Sequence, residues 1–319
     1  MALFLGIDGG GSRTQACLGD ERGRIMARAV AGPSNPVKVG IEATEKELLR
    51  AARAVLRRVS AAPAPAAPKL AGATRGRRPK PPLVAVCAGL AGVDRPSVSR
   101  PLLAWLRKAI PARHHLLTTD MVIALHAALG TDAGMIVESG TGSFAYARNR
   151  RGETLRVGGW GAAFDDPGSG YDLGRKAIMA ALRDFDGRGE RTLLTGKICR
   201  ALRLTNITQI VRKKLNPQDV AGLFPLVLEA AHQGDRVARR LLTEAARDLA
   251  QLALALARRL GLRGMVPVVC AGGVFRSSPS LRRSFARYVH QRMPSARMRL
   301  LQHEAVEGAL AMARNLAAQ

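Results

Sequence analysis

Residues 3–19 read LFLGIDGGGSRTQACLG, two short apolar runs separated by a turn of three glycines. Glycines at such a turn leave backbone N–H groups open to an anion, because no side chain stands in front of them. Asp8 ends the first apolar run, where a carboxylate can hold Mg²⁺ directly or through water. The stretch predicts a β-hairpin that binds phosphate, with a plain hairpin bend as the alternative.

A second hairpin pattern occurs at residues 134–147, which read GMIVESGTGSFAYA. Each hairpin pattern is followed by a turn and a third short apolar segment, at residues 24–30 and 154–157. Two sets of three antiparallel strands, each with a Gly/Ser/Thr bend, predict a duplicated α/β architecture. We expect the two bends to face each other across a cleft.

Composition indicates an ordinary globular protein of 319 residues, long enough for two domains with sizeable cores. No apolar run approaches the roughly 18 to 20 residues of a membrane span, and the start lacks the layout of a signal peptide. We therefore expect a cytoplasmic protein. The cysteines show no CxxC spacing, which predicts reduced thiols rather than a zinc or iron–sulfur site. They are Cys17, Cys87, Cys199 and Cys270.

The formal net charge of +26 raises the question of nucleic-acid binding. Most basic residues are arginines on the polar faces of predicted helices, and aromatic residues are only 4% of the chain, so no stacking platform for bases is expected. The one tight basic tract, residues 75–80, lies within an Ala/Pro-rich segment, residues 60–82. This segment is predicted to be a flexible surface insertion. Composition does not favour a nucleic-acid partner.

Seven motifs, in order, resemble the BadF/BadG/BcrA/BcrD ATPase family, and within it the N-acetylglucosamine kinase branch of the actin, sugar kinase and heat-shock chaperone superfamily. They are GIDGGGSRT at residue 6, GPSNP at 32, AGLAGVD at 88, TTD at 118, SGTGS at 139, GGWG at 158 and AGGVF at 271. The resemblance implies two ribonuclease H-like domains around a nucleotide cleft, residues 1–117 and 118–303. Residues 304–319 would form a helix that packs back on the first domain.

The resemblance also implies how ATP and Mg²⁺ bind. Backbone N–H groups of the two glycine turns would hold the triphosphate, and a Gly-Gly pair would let the adenosine lie against the backbone. The expected nucleotide-binding residues are Gly9, Gly10, Gly11, Ser12, Thr14, Gly140, Thr141, Gly142, Ser143, Gly272 and Gly273. The metal ion would lie near Asp8.

The family pattern places the catalytic base at Asp120, which would accept the proton of the sugar hydroxyl that attacks the γ-phosphate. A helix N-cap is the alternative role for this aspartate. The expected sugar-binding residues are Asn35, Asp120, Thr141, Trp160 and Asp166. Core packing is the alternative for Trp160, and an Asx-turn before Pro36 is the alternative for Asn35.

Two departures from the family pattern bear on the substrate. Asp165-Asp166-Pro167 stands where the family usually has Gly-Asp-Glu, and Glu138 replaces an apolar residue. An extra carboxylate near the amino-sugar site or the phosphates would suit the cationic amine of glucosamine.

The function expected from the resemblance is an ATP-dependent kinase of N-acetylglucosamine or glucosamine that acts at the 6-hydroxyl. One alternative is an ATPase that activates a radical dehydratase or reductase through an iron–sulfur cluster. The other is a non-catalytic sugar-sensing regulator. The sequence leaves open whether the protein forms a homodimer.

Overall fold

The computed structural model describes residues 2–61 and 82–318, and the expected insertion at residues 60–82 lies almost wholly outside them. The strands are β1 (Leu3–Gly9), β2 (Thr14–Asp20), β3 (Ile25–Ala31), β4 (Leu83–Leu90), β5 (His114–Thr118), β6 (Gly134–Ser139), β7 (Ser143–Arg148), β8 (Thr154–Gly158), β9 (Pro267–Ala271) and β10 (Arg297–Leu300). The helices are α1 (Pro36–Val39), α2 (Ile41–Ala61), α3 (Pro96–Ala109), α4 (Asp120–Leu129), α5 (Gly170–Phe185), α6 (Leu194–Ala201), α7 (Pro217–Ala221), α8 (Phe224–His232), α9 (Arg236–Arg259), α10 (Gly273–Ser277), α11 (Pro279–His290) and α12 (Ala305–Leu316). A 3₁₀-helix spans Ile207–Arg212. Within the described residues, none of these helices has the length and apolar character needed to span a bilayer.

Two compact units make up the described chain, Met1–Thr131 with Gln302–Gln319 and Asp132–Leu301. Each unit contains one five-stranded mixed sheet, in the orders β3-β2-β1-β4-β5 and β10-β9-β6-β7-β8. In each sheet the first three strands in sequence are antiparallel, and the remaining two run parallel to the first. The prediction of a duplicated α/β architecture is confirmed.

The sheet of the first unit is covered on both faces, so its central strands are apolar on both sides. Side chains of α2 and α3 pack on one face, where Leu5, Ile7 and Leu18 are fully buried. Helices α4 and α12 cover the other face, where Phe4 of β1 and Ile123 of α4 are buried. The C-terminal helix therefore belongs to the core of the first unit.

The division between the units falls after Thr131, later than the expected domain boundary at residues 117 and 118. Packing explains the difference, because α4 lies against α12 and the sheet of the first unit. A Cβ atom on Gly308 of α12 would lie 2.1 Å from the carbonyl oxygen of Ile123 in α4. Helix α4 and Asp120 at its start therefore belong to the first unit.

Gly6 permits the close contact between β1 and α12. A Cβ atom at this position would lie 2.4 Å from the backbone nitrogen of Leu310 and 2.7 Å from the carbonyl oxygen of Val306. We expect Gly6→Ala to lower the free energy of unfolding by about 1–3 kcal/mol, because the helix backbone must move to admit the methyl group. Urea unfolding of both proteins measures the difference.

Gly196→Ala in α6 is the control for Gly6→Ala, since no atom outside the adjacent residues and the backbone of α6 lies within 4 Å of the added methyl group. Alanine is also the better helix former, by up to about 1 kcal/mol. We expect this variant to be as stable as the wild type or more so. Equal stability of the Gly6→Ala variant and the wild type would contradict the close contact.

Candidate functional site

The first glycine turn lies between β1 and β2 and is fixed to the loop that precedes α1. The N–H of Gly10 donates to the carbonyl of Arg13 (2.9 Å), and the N–H of Ser34 donates to the carbonyl of Gly10 (3.0 Å). Thr14 is fully buried, its hydroxyl donates to the carbonyl of Gly32 (2.6 Å), and its oxygen lies 2.7 Å from Ser34 Oγ. The buried Thr14 side chain therefore joins the end of the turn to the loop that precedes α1.

Asp8 and Asp120 emerge at the same edge of the first sheet. Asp8 of β1 lies beside Gly89 of β4, which also pairs with Thr118, the last residue of β5. Since the three strands are parallel, their carboxyl ends meet at this edge. Burial, followed by the charge of Asp120, is the main cause that raises the pKa of Asp8 to about 7; Arg13 lowers this pKa and Glu304 adds a smaller increase. The two predicted functional carboxylates are therefore electrostatically coupled.

Asp120 is the first residue of α4, and the N-cap position belongs to Thr119. The Thr119 side chain makes no capping hydrogen bond. Instead, the N–H of Met121 donates to Asp120 Oδ1 at 3.0 Å. The carboxylate is thus fixed by the first turn of its own helix, next to the end of β5.

The second glycine turn lies between β6 and β7 and is fixed to the segment that precedes α5. Ser139 and Ser143 are buried, and their hydroxyls donate to the carbonyls of Gly168 (2.8 Å) and Pro167 (2.7 Å). The N–H of Gly170 donates to the carbonyl of Gly140 at 2.8 Å. Both serine hydroxyls therefore stabilise the shape of the turn.

Two carboxylates lie against this second turn. A Cβ atom on Gly142 would lie 2.8 Å from Asp166 Oδ2, and one on Gly140 would lie 3.5 Å from Glu138 Oε1. The Glu138 carboxylate also faces Gly272, where a Cβ atom would lie 2.9 Å away. The structure thus places the unusual Glu138 between two of the glycines expected to bind the nucleotide.

Gly272 connects β9 to α10, and it must be glycine for two reasons. Its φ of 92° lies in the region that side chains disfavour, and a Cβ atom there would lie 2.1 Å from the carbonyl oxygen of Ser139. Gly273, the next residue, begins α10, and a Cβ atom there would meet no atom within 4 Å. The Gly-Gly pair therefore lies directly beside the second glycine turn.

The Asn35 side chain caps α1, and its Oδ1 accepts from the N–H of Val37 at 3.0 Å. The Asx-turn considered for Asn35 is present. Trp160 is 63% exposed, so core packing is wrong for this residue. The guanidinium of Arg156 lies 4.6 Å from the centre of its ring, and Phe164 in the same loop is 88% exposed. The loop that follows β8 thus presents two aromatic rings at the surface.

Sequence reasoning missed three residues near these turns. Lys38 places its ammonium nitrogen 3.0 Å from the position of a Cβ atom on Gly11. Glu304 acts on the charge state of Asp8 and pairs with Arg28 at 2.6 Å. Phe164 is the exposed ring described above. The spacing of Lys38 after GPSNP was the only local signal, since each of these contacts depends on tertiary structure.

The described residues contain no group of three or more His, Cys, Asp or Glu side chains that could hold a metal ion. Asp8 is the carboxylate expected near Mg²⁺, an ion that takes oxygen ligands and is usually held by one or two carboxylates together with substrate phosphates and water. Burial raises the pKa of Cys17 to about 11 and of Cys87 and Cys270 to about 12, which disfavours the thiolate form that binds iron.

Comparison with known proteins gives matches over most or all of the chain. The N-acetylmuramic acid/N-acetylglucosamine kinase of Clostridium acetobutylicum is 32% identical over 99% of both chains. The glucosamine kinase of Vibrio cholerae is 26% identical over 83% of this chain and 85% of its own length. The crystal structure of a candidate N-acetylglucosamine kinase from Chromobacterium violaceum has a TM-score of 0.76 and 28% identity, with 97% of each chain covered. The model of the BadF/BadG/BcrA/BcrD ATPase family matches residues 5–313, and the chain belongs to this family.

Proposed function

We propose that the protein is an ATP-dependent kinase that transfers the γ-phosphoryl group to the 6-hydroxyl of an amino sugar. The observation that carries this proposal is the coupled pair Asp8 and Asp120 at the strand edge from which the first glycine turn also begins. Phosphoryl transfer needs backbone donors for phosphate, a carboxylate for Mg²⁺ and a base for the attacking hydroxyl. We propose that the first glycine turn, Asp8 and Asp120 of the first unit fill these three roles.

Asp120 acts as the general base in this proposal. The sugar oxygen forms a bond to the γ-phosphorus, the bond from that phosphorus to the bridging oxygen breaks, and ADP leaves with the electron pair. Asp120 accepts the proton of the hydroxyl. Its attachment to the N–H of Met121 keeps the carboxylate in one place, which favours transfer to a hydroxyl held nearby.

In this proposal the glycine turns bind phosphate oxygens through their N–H groups. Thr14 and Ser143 fix the turns through hydrogen bonds to the carbonyls of Gly32 and Pro167. Gly272 and Gly273 accommodate the adenosine. Asp8 would hold Mg²⁺, which when bound neutralises charge on the phosphate oxygens. Since burial raises the pKa of Asp8 to about 7, a nearby cation would also favour its ionised form.

The residues proposed for the sugar are Asn35, Asp120, Thr141, Trp160 and Asp166. Exposure of the Trp160 ring supports its role, because an exposed indole offers an apolar face to a sugar ring. The leading acceptors are N-acetylglucosamine and glucosamine, and the relative from Clostridium acetobutylicum adds N-acetylmuramic acid. Glu138 lies beside two glycines that are proposed to bind the nucleotide. Its charge therefore does not favour glucosamine over N-acetylglucosamine as the acceptor.

A sugar panel tests the proposed function. Purified protein with ATP and Mg²⁺ is incubated with N-acetylglucosamine, glucosamine, N-acetylmuramic acid or glucose, and ADP release is measured. We expect release with at least one amino sugar well above the rate without sugar, and NMR of the product should place the phosphate on O6. No sugar-dependent ADP release across the panel would refute the proposal.

The iron–sulfur activator is less compatible with the structure than the kinase, because burial raises the pKa of three of the four cysteines. The non-catalytic regulator rested on the basic tract at residues 75–80 and the altered residues 165–167. The tract lies outside the described residues. Asp166 remains against the second glycine turn despite the altered sequence around it.

A further inference from the structure

Lys38 lies against the first glycine turn, although it is 27 residues away from Gly11 in sequence. Three atoms of its side chain approach the position of a Cβ atom on Gly11: Nζ at 3.0 Å, Cδ at 3.3 Å and Cε at 3.5 Å. The lysine chain therefore runs along the face of Gly11. Because Gly11 has no side chain, the ammonium group reaches the backbone that is proposed to bind phosphate.

The position of Lys38 is set by hydrogen bonds of the loop that precedes α1. Helix α1 begins after the Asn35 cap, and the loop before it is held to the turn by the bond from Ser34 N–H to the Gly10 carbonyl. The Glu47 carboxylate of α2 accepts from the N–H of Gly32 at 2.6 Å and fixes the loop from the other end. The backbone of Lys38 is thus anchored relative to the turn before any ligand binds.

The charge of Lys38 is available to a ligand. The side chain is exposed, and within the described part of the chain it forms no ion pair with an acidic residue. It is also not among the charges that act on Asp8, where Arg13 is the opposing cation. Arg13, and not Lys38, is therefore the cation that lowers the pKa of Asp8.

We propose that Lys38 contacts the terminal phosphate of ATP and stabilises its charge during transfer, as a further catalytic residue of the proposed kinase. Lys38 lies in α1, three residues after the N-cap Asn35, and Asn35 is proposed to bind the acceptor sugar. The phosphate nearest the acceptor is the one that is transferred. The ammonium group beside Gly11, carried by the short helix that Asn35 caps, meets that phosphate. This inference rests on the proposed function.

Three variants test the role of Lys38. Lys38→Met removes the charge, Lys38→Arg keeps it, and Lys46→Met removes a comparable exposed lysine from α2. Binding of ATP and of ADP is measured by calorimetry with Mg²⁺ and without sugar. We expect Lys38→Met to weaken ATP about 10-fold or more and ADP less than about threefold, because ADP lacks the terminal phosphate.

Turnover gives the second measurement. In Lys38→Met we expect kcat to fall about 100-fold, a magnitude typical of removing one group that stabilises transition-state charge. The KM for the sugar should change little, and Lys38→Arg should recover most of the rate. Lys46→Met should match the wild type in both measurements.

The outcomes separate the two proposals. An unchanged ratio of ATP to ADP affinity in Lys38→Met would overturn the role of Lys38, whether or not any sugar is phosphorylated. Absence of sugar-dependent turnover in the wild type would overturn the proposed function, while the affinity ratio would still decide whether Lys38 contacts the terminal phosphate. The melting temperature of Lys38→Met should equal that of the wild type, because the side chain is exposed.

Discussion

Asp120→Asn is expected to lower kcat by about 10²- to 10⁴-fold, the range that a positioned general base contributes. The carboxamide has the size of the carboxylate but cannot accept the proton of the attacking hydroxyl. Its oxygen can still accept from the N–H of Met121, so the start of α4 should be preserved. The loss should therefore appear in turnover and leave folding intact.

Binding and turnover must be measured separately to assign the role of Asp120. Calorimetric titration with the active sugar should show an affinity within about 10-fold of the wild type, because a neutral carboxamide replaces the carboxylate in one hydrogen bond to the sugar. Asp132→Asn, which alters an exposed aspartate of the second unit, is the control and should retain full kcat. Unchanged turnover of Asp120→Asn would refute the base assignment.

The elements that sequence predicted best are those with local signals. Short apolar runs separated by glycine turns predict both hairpins. Apolar residues at helical spacing from Ile41 onward likewise predict a helix, and α2 begins at Ile41. The two prolines of the GPSNP motif predict a loop. Pro36 instead becomes the first residue of α1, where a missing N–H costs nothing, with Asn35 as the cap.

The contacts that sequence could not predict are made between distant segments. Nothing near Ser139 or Ser143 indicates that their hydroxyls bind the carbonyls of Pro167 and Gly168. The approach of Lys38 to Gly11 likewise depends on how the loop before α1 folds over the hairpin. Residue types and motif order indicated the candidate phosphate turns, whereas the side chains that shape or charge these turns required the tertiary structure.

Asp8 should make the nucleotide-free protein less stable as the pH rises. The ordinary pKa of 3.8 applies to the unfolded chain, and burial raises the pKa of Asp8 to about 7 in the folded protein. Between these values the unfolded chain loses the proton that the folded protein retains, so the free energy of unfolding falls with increasing pH. The stability of the protonated form is complete below about pH 4 and is lost as the pH passes through about 7.

Asp8→Asn should remove this dependence, because the amide stays neutral at every pH. Without Mg²⁺ and nucleotide, we expect the stability of the variant relative to the wild type to increase by about 2 kcal/mol between pH 5 and pH 8, at 1.36 kcal/mol for each pKa unit and allowing for partial exposure of the site. Urea unfolding at the two pH values measures the change. Asp132→Asn, at an exposed position, should show no such increase.

Kinase activity should fall in Asp8→Asn although the stability rises, because the substitution also removes the carboxylate proposed to hold Mg²⁺. We expect a loss of turnover of at least about 10²-fold together with the gain in stability at pH 8, the combination typical of a charged group buried for function. Asp120→Asn provides a cross-check, since the charge of Asp120 contributes to the raised pKa of Asp8. In that variant the pH at which stability is lost should move lower; if it stays in place, the two carboxylates are not coupled.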